Sequence, residues 1–155
     1  MKPGLSPNSA YSLVIAGISA MQAAAARVGA PLANDFCVIS LSDLLTPWET
    51  IEQRVRAAAI GDFVVAFYNA VSHQRTWQLQ QAKEILLQYR SADTPAIVAF
   101  NVTRKGEEIT LTRLGDLEPK AMNMLTLVLV GNSETRRVGN WVYTPRGYQK
   151  KTRNL

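Results

Sequence analysis

The stretch TPWETIEQRVRAAAIGDFVVAFYN, residues 46–69, decides the fold. It reads as a helix, a break and a strand. Thr46 suits a helix cap, Pro47 the first helical position, and Glu49 follows the cap by three, which predicts a capping box. Trp48, Ile51, Val55 and Ala58-Ala59 then fall on one helical face, with Glu49, Glu52, Gln53, Arg54 and Arg56 elsewhere. Gly61-Asp62 ends the helix. Phe63 to Tyr68 is an uninterrupted apolar run of strand length, the signature of a strand covered on both faces in an α/β fold.

The same alternation continues outward. On the N-terminal side, Ile18, Met21, Ala25 and Val28 mark a helix that Gly29 and the nearby Pro31 stop. Phe36 to Leu41 reads as a strand. On the C-terminal side, Arg75 to Tyr89 reads as a helix with Ala82, Ile85, Leu86 and Tyr89 on its apolar face. Ala96 to Phe100 is a buried strand. Glu108 to Arg113 alternates and reads as a half-exposed strand, joined to its predecessor as a hairpin with Gly106 in the turn. Met124 to Val130 is a fifth strand, followed by Ser133 as a cap and Pro145-Arg146-Gly147 as a turn. Early alternation with a late hairpin predicts an α/β domain: a mixed five-stranded sheet flanked by helices.

Composition excludes several classes. The 155 residues are 47% hydrophobic and 19% charged, one globular domain's worth. No apolar run approaches the ~20 residues of a membrane-spanning helix, and residues 1–16 show no secretory pattern and little regular structure. The lone Cys37 cannot form an internal disulfide and reads as a small apolar residue, which fits a cytoplasmic protein. His73 is the single histidine, and no His/Cys/Asp/Glu cluster suggests a metal. No Ser-His-Asp arrangement, GxGxxG or GxxxxGK[ST] is present.

Net charge is +5, and the region from Thr135 onward carries Arg136, Arg137, Arg146, Lys150, Lys151 and Arg153 with no acid. A solvated basic tail over residues 149–155 accounts for part of this; a polyanionic small molecule or nucleic acid would also suit it. No recognised nucleic-acid motif supports the latter.

Five words stand in order: SDLLTPWETIEQR (42–54), FVVAFYN (63–69), RTWQL (75–79), VGNSETR (130–136) and TPRGY (144–148). Together they resemble the C-terminal half of the precorrin-3B C(17)-methyltransferases, a branch of the tetrapyrrole methylase family of cobalamin biosynthesis. The resemblance covers residues 17–148 and finds no counterpart of that family's N-terminal domain with its glycine-rich loop. It implies a C-terminal-domain-like fold, a tetrapyrrole substrate and S-adenosylmethionine as cofactor. It also implies a homodimer or a separate N-terminal-domain chain as partner; from motifs and hydropathy, neither nucleic acid nor membrane is expected.

The resemblance supplies candidate cofactor-binding positions. A family turn of Pro-Gly-Ile-(Ser/Thr)-Ala reads here Ala16-Gly17-Ile18-Ser19-Ala20, pointing to Ser19 and Ala20. A Tyr-Asn-Pro-Arg-Ser segment reads Tyr68-Asn69-Ala70-Val71-Ser72, pointing to Tyr68 and Asn69. An Arg-Asn-Ala-Gly-Arg segment reads Phe100-Asn101-Val102-Thr103-Arg104, pointing to Asn101 and Val102. Val102-Thr103 replaces a small pair with two β-branched residues. Two functions follow as expectations: methyl transfer to a precorrin by a half-enzyme inactive alone, or a non-catalytic interaction module reusing the half-fold. A sulfonium methyl donor is already activated and needs positioning more than a nucleophile, so a motif-poor sequence is compatible with it.

Overall fold

The computed structural model of the chain describes residues 16–72 and 76–147. The expectations for residues 1–15, His73, Arg75, Tyr148 and the basic tail lie outside them.

The first helix, α1 (Ala20–Val28), buries Met21, Ala24, Ala25 and Val28, one stripe at helical spacing. Ile18, assigned to this face by spacing, precedes the helix and is 80% exposed. Ser19 is the N-cap: its hydroxyl accepts from Gln22 N–H, and Gln22 Oε1 accepts from Ser19 N–H at 3.0 Å. A capping box therefore forms at Ser19, where the sequence reading did not place one.

It does not form at Thr46. The second helix, α2 (Trp48–Ile60), has Pro47 as its N-cap, with no side-chain capping bond. Pro47 adopts φ −55° and ψ 144°, so it stands outside the helix and its carbonyl accepts from Thr50 and Ile51. Thr46 lies one residue further back, beyond the position from which a hydroxyl caps. The predicted apolar face holds: Ile51, Val55, Ala58 and Ala59 are buried. In α3 (Gln78–Leu87), Leu79, Ala82, Ile85 and Leu86 are buried, whereas Tyr89 lies past the helix end and is exposed. Trp48 and Trp77 meet edge to face, 4.8 Å between ring centres, where α2 and α3 begin.

Eight strands occur among the described residues: β1 (Gly29–Ala30), β2 (Phe36–Ser40), β3 (Val64–Tyr68), β4 (Pro95–Phe100), β5 (Glu108–Arg113), β6 (Thr126–Val130), β7 (Arg136–Val138) and β8 (Trp141–Tyr143). The main sheet runs β2-β3-β6-β4-β5. β2 and β3 pair in parallel through the α2 crossover, β6 inserts antiparallel between β3 and β4, and β5 returns beside β4 as the expected hairpin. This is the mixed five-stranded α/β sheet read from the sequence.

Both faces of the sheet's centre are covered, while Phe36 and Val38 of the edge strand β2 stay exposed on one face. Ile39, Val65, Phe67, Ala96, Val128 and Val130 pack against α2 and α3. Ala66, Ile97, Ala99, Leu127 and Leu129 pack against α1 and Val142. Hence β3 and β6, central in the order, are apolar at nearly every position, while β5 at the edge alternates.

The sequence reading missed a second sheet, β1-β8-β7. Its hairpin turns at Gly139-Asn140, with Gly139 at φ 58°. Gly29 is more than a helix stop: a Cβ there would lie 2.6 Å from the Val142 carbonyl oxygen, so only glycine lets β1 approach β8. Ser133, expected to cap a helix, instead binds Asp62 through its N–H (3.0 Å) and its hydroxyl (2.5 Å).

One end of the main sheet is closed by Arg90. Its side chain is fully buried, and its guanidinium donates to Gly131 O (2.6 Å), Ala58 O (3.1 Å) and Phe63 O (2.5 Å). These carbonyls lie just past β6, in the last turn of α2 and just before β3. The Asp62 carboxylate stands 3.9 Å from Nε, the one buried side-chain polar atom without a hydrogen bond among the described residues. Burial pushes the guanidinium below its ordinary range, and the Asp62 charge pulls the other way.

Candidate functional site

At the opposite end of the sheet, β3 and β4 run out into the residues the sequence singled out. Ligands in open α/β sheets bind beyond the carboxyl ends of strands. Tyr68 ends β3 and Asn69 follows it; Phe100 ends β4 and Asn101 follows it. Both asparagines adopt the left-handed conformation, φ 51° at Asn69 and 52° at Asn101, which their short polar side chains tolerate. The Asn69 amide donates to Ser40 Oγ at 3.0 Å, and the Asn101 amide donates to Lys105 O at 2.5 Å. Each chain reversal is thereby fixed immediately after its strand.

Between them β6 begins, and Leu125 O accepts from Asn101 N–H at 3.1 Å. The start of α1 closes the fourth side. Together these segments enclose a cleft of about 180 Å³ lined by Ala20, Tyr68, Asn69, Asn101, Val102, Arg104 and the Met124–Leu127 segment. Five of the six positions expected from the resemblance thus converge. The sixth, Ser19, stands one residue back, its hydroxyl engaged in the capping box. Arg104 and Met124–Leu127 were missed. A fifth strand was expected from Met124; it begins instead at Thr126, with Met124 and Leu125 exposed ahead of it, and its place between β3 and β4 was not legible.

The helix start is less open than a bare N-terminus. Ser19 N–H and Gln22 N–H are taken by the capping box, and Met21 N–H donates to the Tyr68 hydroxyl at 2.9 Å. Tyr68 is therefore part of the wall, held by the helix it faces. The chemistry on offer is amide, phenol, backbone and the Arg104 guanidinium; no group of three or more potential metal ligands exists among the described residues.

The β4–β5 turn forming one wall is strained. Thr103 adopts φ 64°, a region β-branched residues rarely enter, and Gly106 adopts φ 80°. Glu107 spans the turn, accepting from Thr103 N–H at 2.6 Å and from Arg27 Nε at 2.9 Å. The Thr103 N–H, and then Arg27, hold the Glu107 carboxyl below the usual carboxylate range.

Across the Met124–Leu125 segment lies a larger hollow of about 540 Å³, lined by Val71, Ser72, Thr76, Phe100, Lys120 and Met122. No helix among the described residues is long and apolar enough to cross a membrane.

The sequence pattern of the Tetrapyrrole (Corrin/Porphyrin) Methylases family matches residues 12–118. The chain belongs to the tetrapyrrole methylase family. Its relatives place it more finely. It is 52% identical over 138 residues to a protein of Priestia megaterium named cobalt-factor III methyltransferase, covering 89% of this chain and 26% of that protein. It is 48% identical over 135 residues to a probable cobalt-factor III C(17)-methyltransferase of Salmonella typhimurium, covering 87% of this chain and 56% of that one. A solved structure described as the methyltransferase CobJ matches with a TM-score of 0.79 at 50% identity, over 83% of this chain and 54% of that one. The chain thus spans about a quarter of the first relative's length and just over half of the second's.

Proposed function

We propose that this chain forms one half of an S-adenosylmethionine-dependent methyltransferase acting on a precorrin-type tetrapyrrole in cobalamin biosynthesis. Residues 17–148 form the C-terminal-domain-like unit, residues 1–16 lead into it and residues 149–155 are a basic tail. The observation carrying this reading is the convergence of Ala20, Tyr68, Asn69, Asn101 and Val102 on one cleft. The chain bearing them is half identical to a solved methyltransferase.

The cleft fits part of such a cofactor. Ligand sites for molecules of drug size usually enclose roughly 300–1,000 Å³, and this one measures about 180 Å³. The remaining wall belongs to another domain or chain, a homodimer mate or a separate N-terminal-domain protein. When bound, the cofactor supplies an activated methyl group. The residues here hold and orient it: the side-chain oxygens of Asn69 and Asn101, whose NH2 groups are already engaged, offer acceptors, and Val102 and Leu125 offer apolar contact. We place the protein in the cytoplasm, where the lone Cys37 stays reduced.

Isolated, the 155-residue chain has little or no methyltransferase activity on this reading. Calorimetric titration with S-adenosylhomocysteine tests the cleft: micromolar binding supports a preformed half-site, and no binding up to millimolar ligand removes it. Turnover of a precorrin by the pure chain would overturn the half-enzyme assignment.

A second reading, a non-catalytic interaction module, draws on one observation. Thr103 occupies a left-handed position beside the cleft where the family pattern has glycine. Binding of a partner protein with no response to the cofactor would favour it.

A further inference from the structure

We propose that Glu107 is the positioning residue of this cleft, clamping the β4–β5 turn in its strained conformation and tying it through Arg27 to the helix of the facing wall. The inference rests on the cleft being the cofactor site.

Three residues of the turn have positive φ: Asn101 (52°), Thr103 (64°) and Gly106 (80°). Gly106 accepts this freely and Asn101 with little difficulty; Thr103 does not, and such a residue persists only where its surroundings over-determine it. Two bonds within the turn, Arg104 N–H to Asn101 O (2.9 Å) and Glu107 N–H to Arg104 O (3.1 Å), set its course. Neither touches the Thr103 amide. Glu107 does, at 2.6 Å, and the same carboxylate meets Arg27 at 2.9 Å and 3.5 Å.

Arg27 sits in the last turn of α1, the helix whose first residue, Ala20, lines the cleft. The β4–β5 turn contributes Asn101, Val102 and Arg104 to the opposite side, and Val102 packs onto the cluster that α1 builds. One carboxylate thus sets the conformation of one wall and its distance from the other. Exposed ion pairs contribute little to global stability, and the Arg27 side chain is 54% exposed. Removing the clamp therefore loosens the turn without unfolding the domain.

The test uses the full chain with Glu107→Ala and Glu107→Gln. Amide hydrogen exchange is followed residue by residue, and S-adenosylhomocysteine binding by calorimetry. In Glu107→Ala, exchange at Thr103 and Arg104 accelerates by on the order of tenfold while β3 and β6 amides keep their protection. Affinity falls by roughly threefold to tenfold as pre-organisation is lost. Glu107→Gln retains an oxygen for the Thr103 N–H and recovers most of both. Unchanged exchange at Thr103 and Arg104 in Glu107→Ala overturns the clamp. Accelerated exchange with unchanged affinity overturns its role in positioning. Absence of binding by the wild-type chain sinks the cofactor reading instead, and the clamp then stands or falls on the exchange data.

Discussion

The Tyr68 hydroxyl accepts a hydrogen bond from Met21 N–H at 2.9 Å, across 47 residues of sequence. It joins the end of β3 to the first turn of α1, two of the segments that shape the cleft. A helix-start N–H that would otherwise await a cap, water or ligand is satisfied by a tyrosine. The phenol is in turn oriented by the helix.

Replacing Tyr68 by Phe removes that bond and little volume. Stability falls by about 1 kcal/mol, read from the urea midpoint, and S-adenosylhomocysteine binding weakens because the wall is no longer tied. An unchanged midpoint would mean that the bond carries no net energy.

Thr103→Gly has the opposite sign. The left-handed conformation costs an L-residue roughly 1–2 kcal/mol, and glycine returns about 0.5–1 kcal/mol of that to unfolded-chain entropy. Because Thr103 is exposed, no packing is lost. A stability gain of up to about 1 kcal/mol is expected in chemical denaturation. A loss would show that the Thr103 backbone is not strained.

Arg90→Met leaves three carbonyls, of Ala58, Phe63 and Gly131, without their donor in a buried site, and deprives Asp62 of its neighbour. Breaking such an arrangement costs about 3–5 kcal/mol, enough to bring a marginal domain near unfolding. Arg90→Lys, with one charged head for three acceptors, should fall between the two in a denaturant series. Equal stability of wild type and Met would contradict the role assigned to Arg90.

Glu107 makes stability depend on pH in a defined window. Its folded carboxyl is depressed from the ordinary value of 4.5. The stabilisation is therefore fully present above that value and is lost as pH falls through the lower, folded one. The urea-midpoint difference between wild type and Glu107→Gln, small because the group is solvent-screened, should be largest near neutrality and close as pH drops below about 4.5. A gap that persists undiminished at pH 3 would show that the carboxylate's charge is not involved.

Cys37 is half-buried against the α2/α3 core, and burial raises its thiol above the ordinary range, with Arg90 opposing more weakly. A disulfide reagent at pH 8 should label the folded chain slowly and the urea-unfolded chain quickly. Equal rates would mean that the edge strand β2 is not held as described.

What the sequence revealed, and what it hid, divides along physical lines. Continuous apolar runs at 63–68 and 96–100 announced strands buried within the sheet, and helical spacing in α2 named its buried face, because burial leaves a trace in the sequence. Helix starts were harder. Thr46 and Ser19 are both followed by a third residue fit for a capping box, and only the backbone angle at Pro47 decides that Ser19 caps and Thr46 does not. The β7–β8 hairpin rests on three-residue strands around Gly139-Asn140, a signal short enough to pass as loop. The six cofactor positions came from family resemblance rather than chemistry. Arg104 stood in a matching segment without being named a site residue, and Glu107 and Arg27 stayed hidden because their importance lies in a turn conformation that residue types alone do not declare.

The Arg90 guanidinium gathers carbonyls 27, 32 and 41 residues away along the chain. The full set of contacts is available only when α2, β3 and β6 have already met. The linkage therefore closes late in folding and opens early in unfolding, after most of the apolar surface has been buried in the one direction and before it is released in the other. Its weight falls on the lifetime of the native state: loss of the arginine would shorten that lifetime by roughly a hundredfold to a few thousandfold while the refolding rate stayed near its original value.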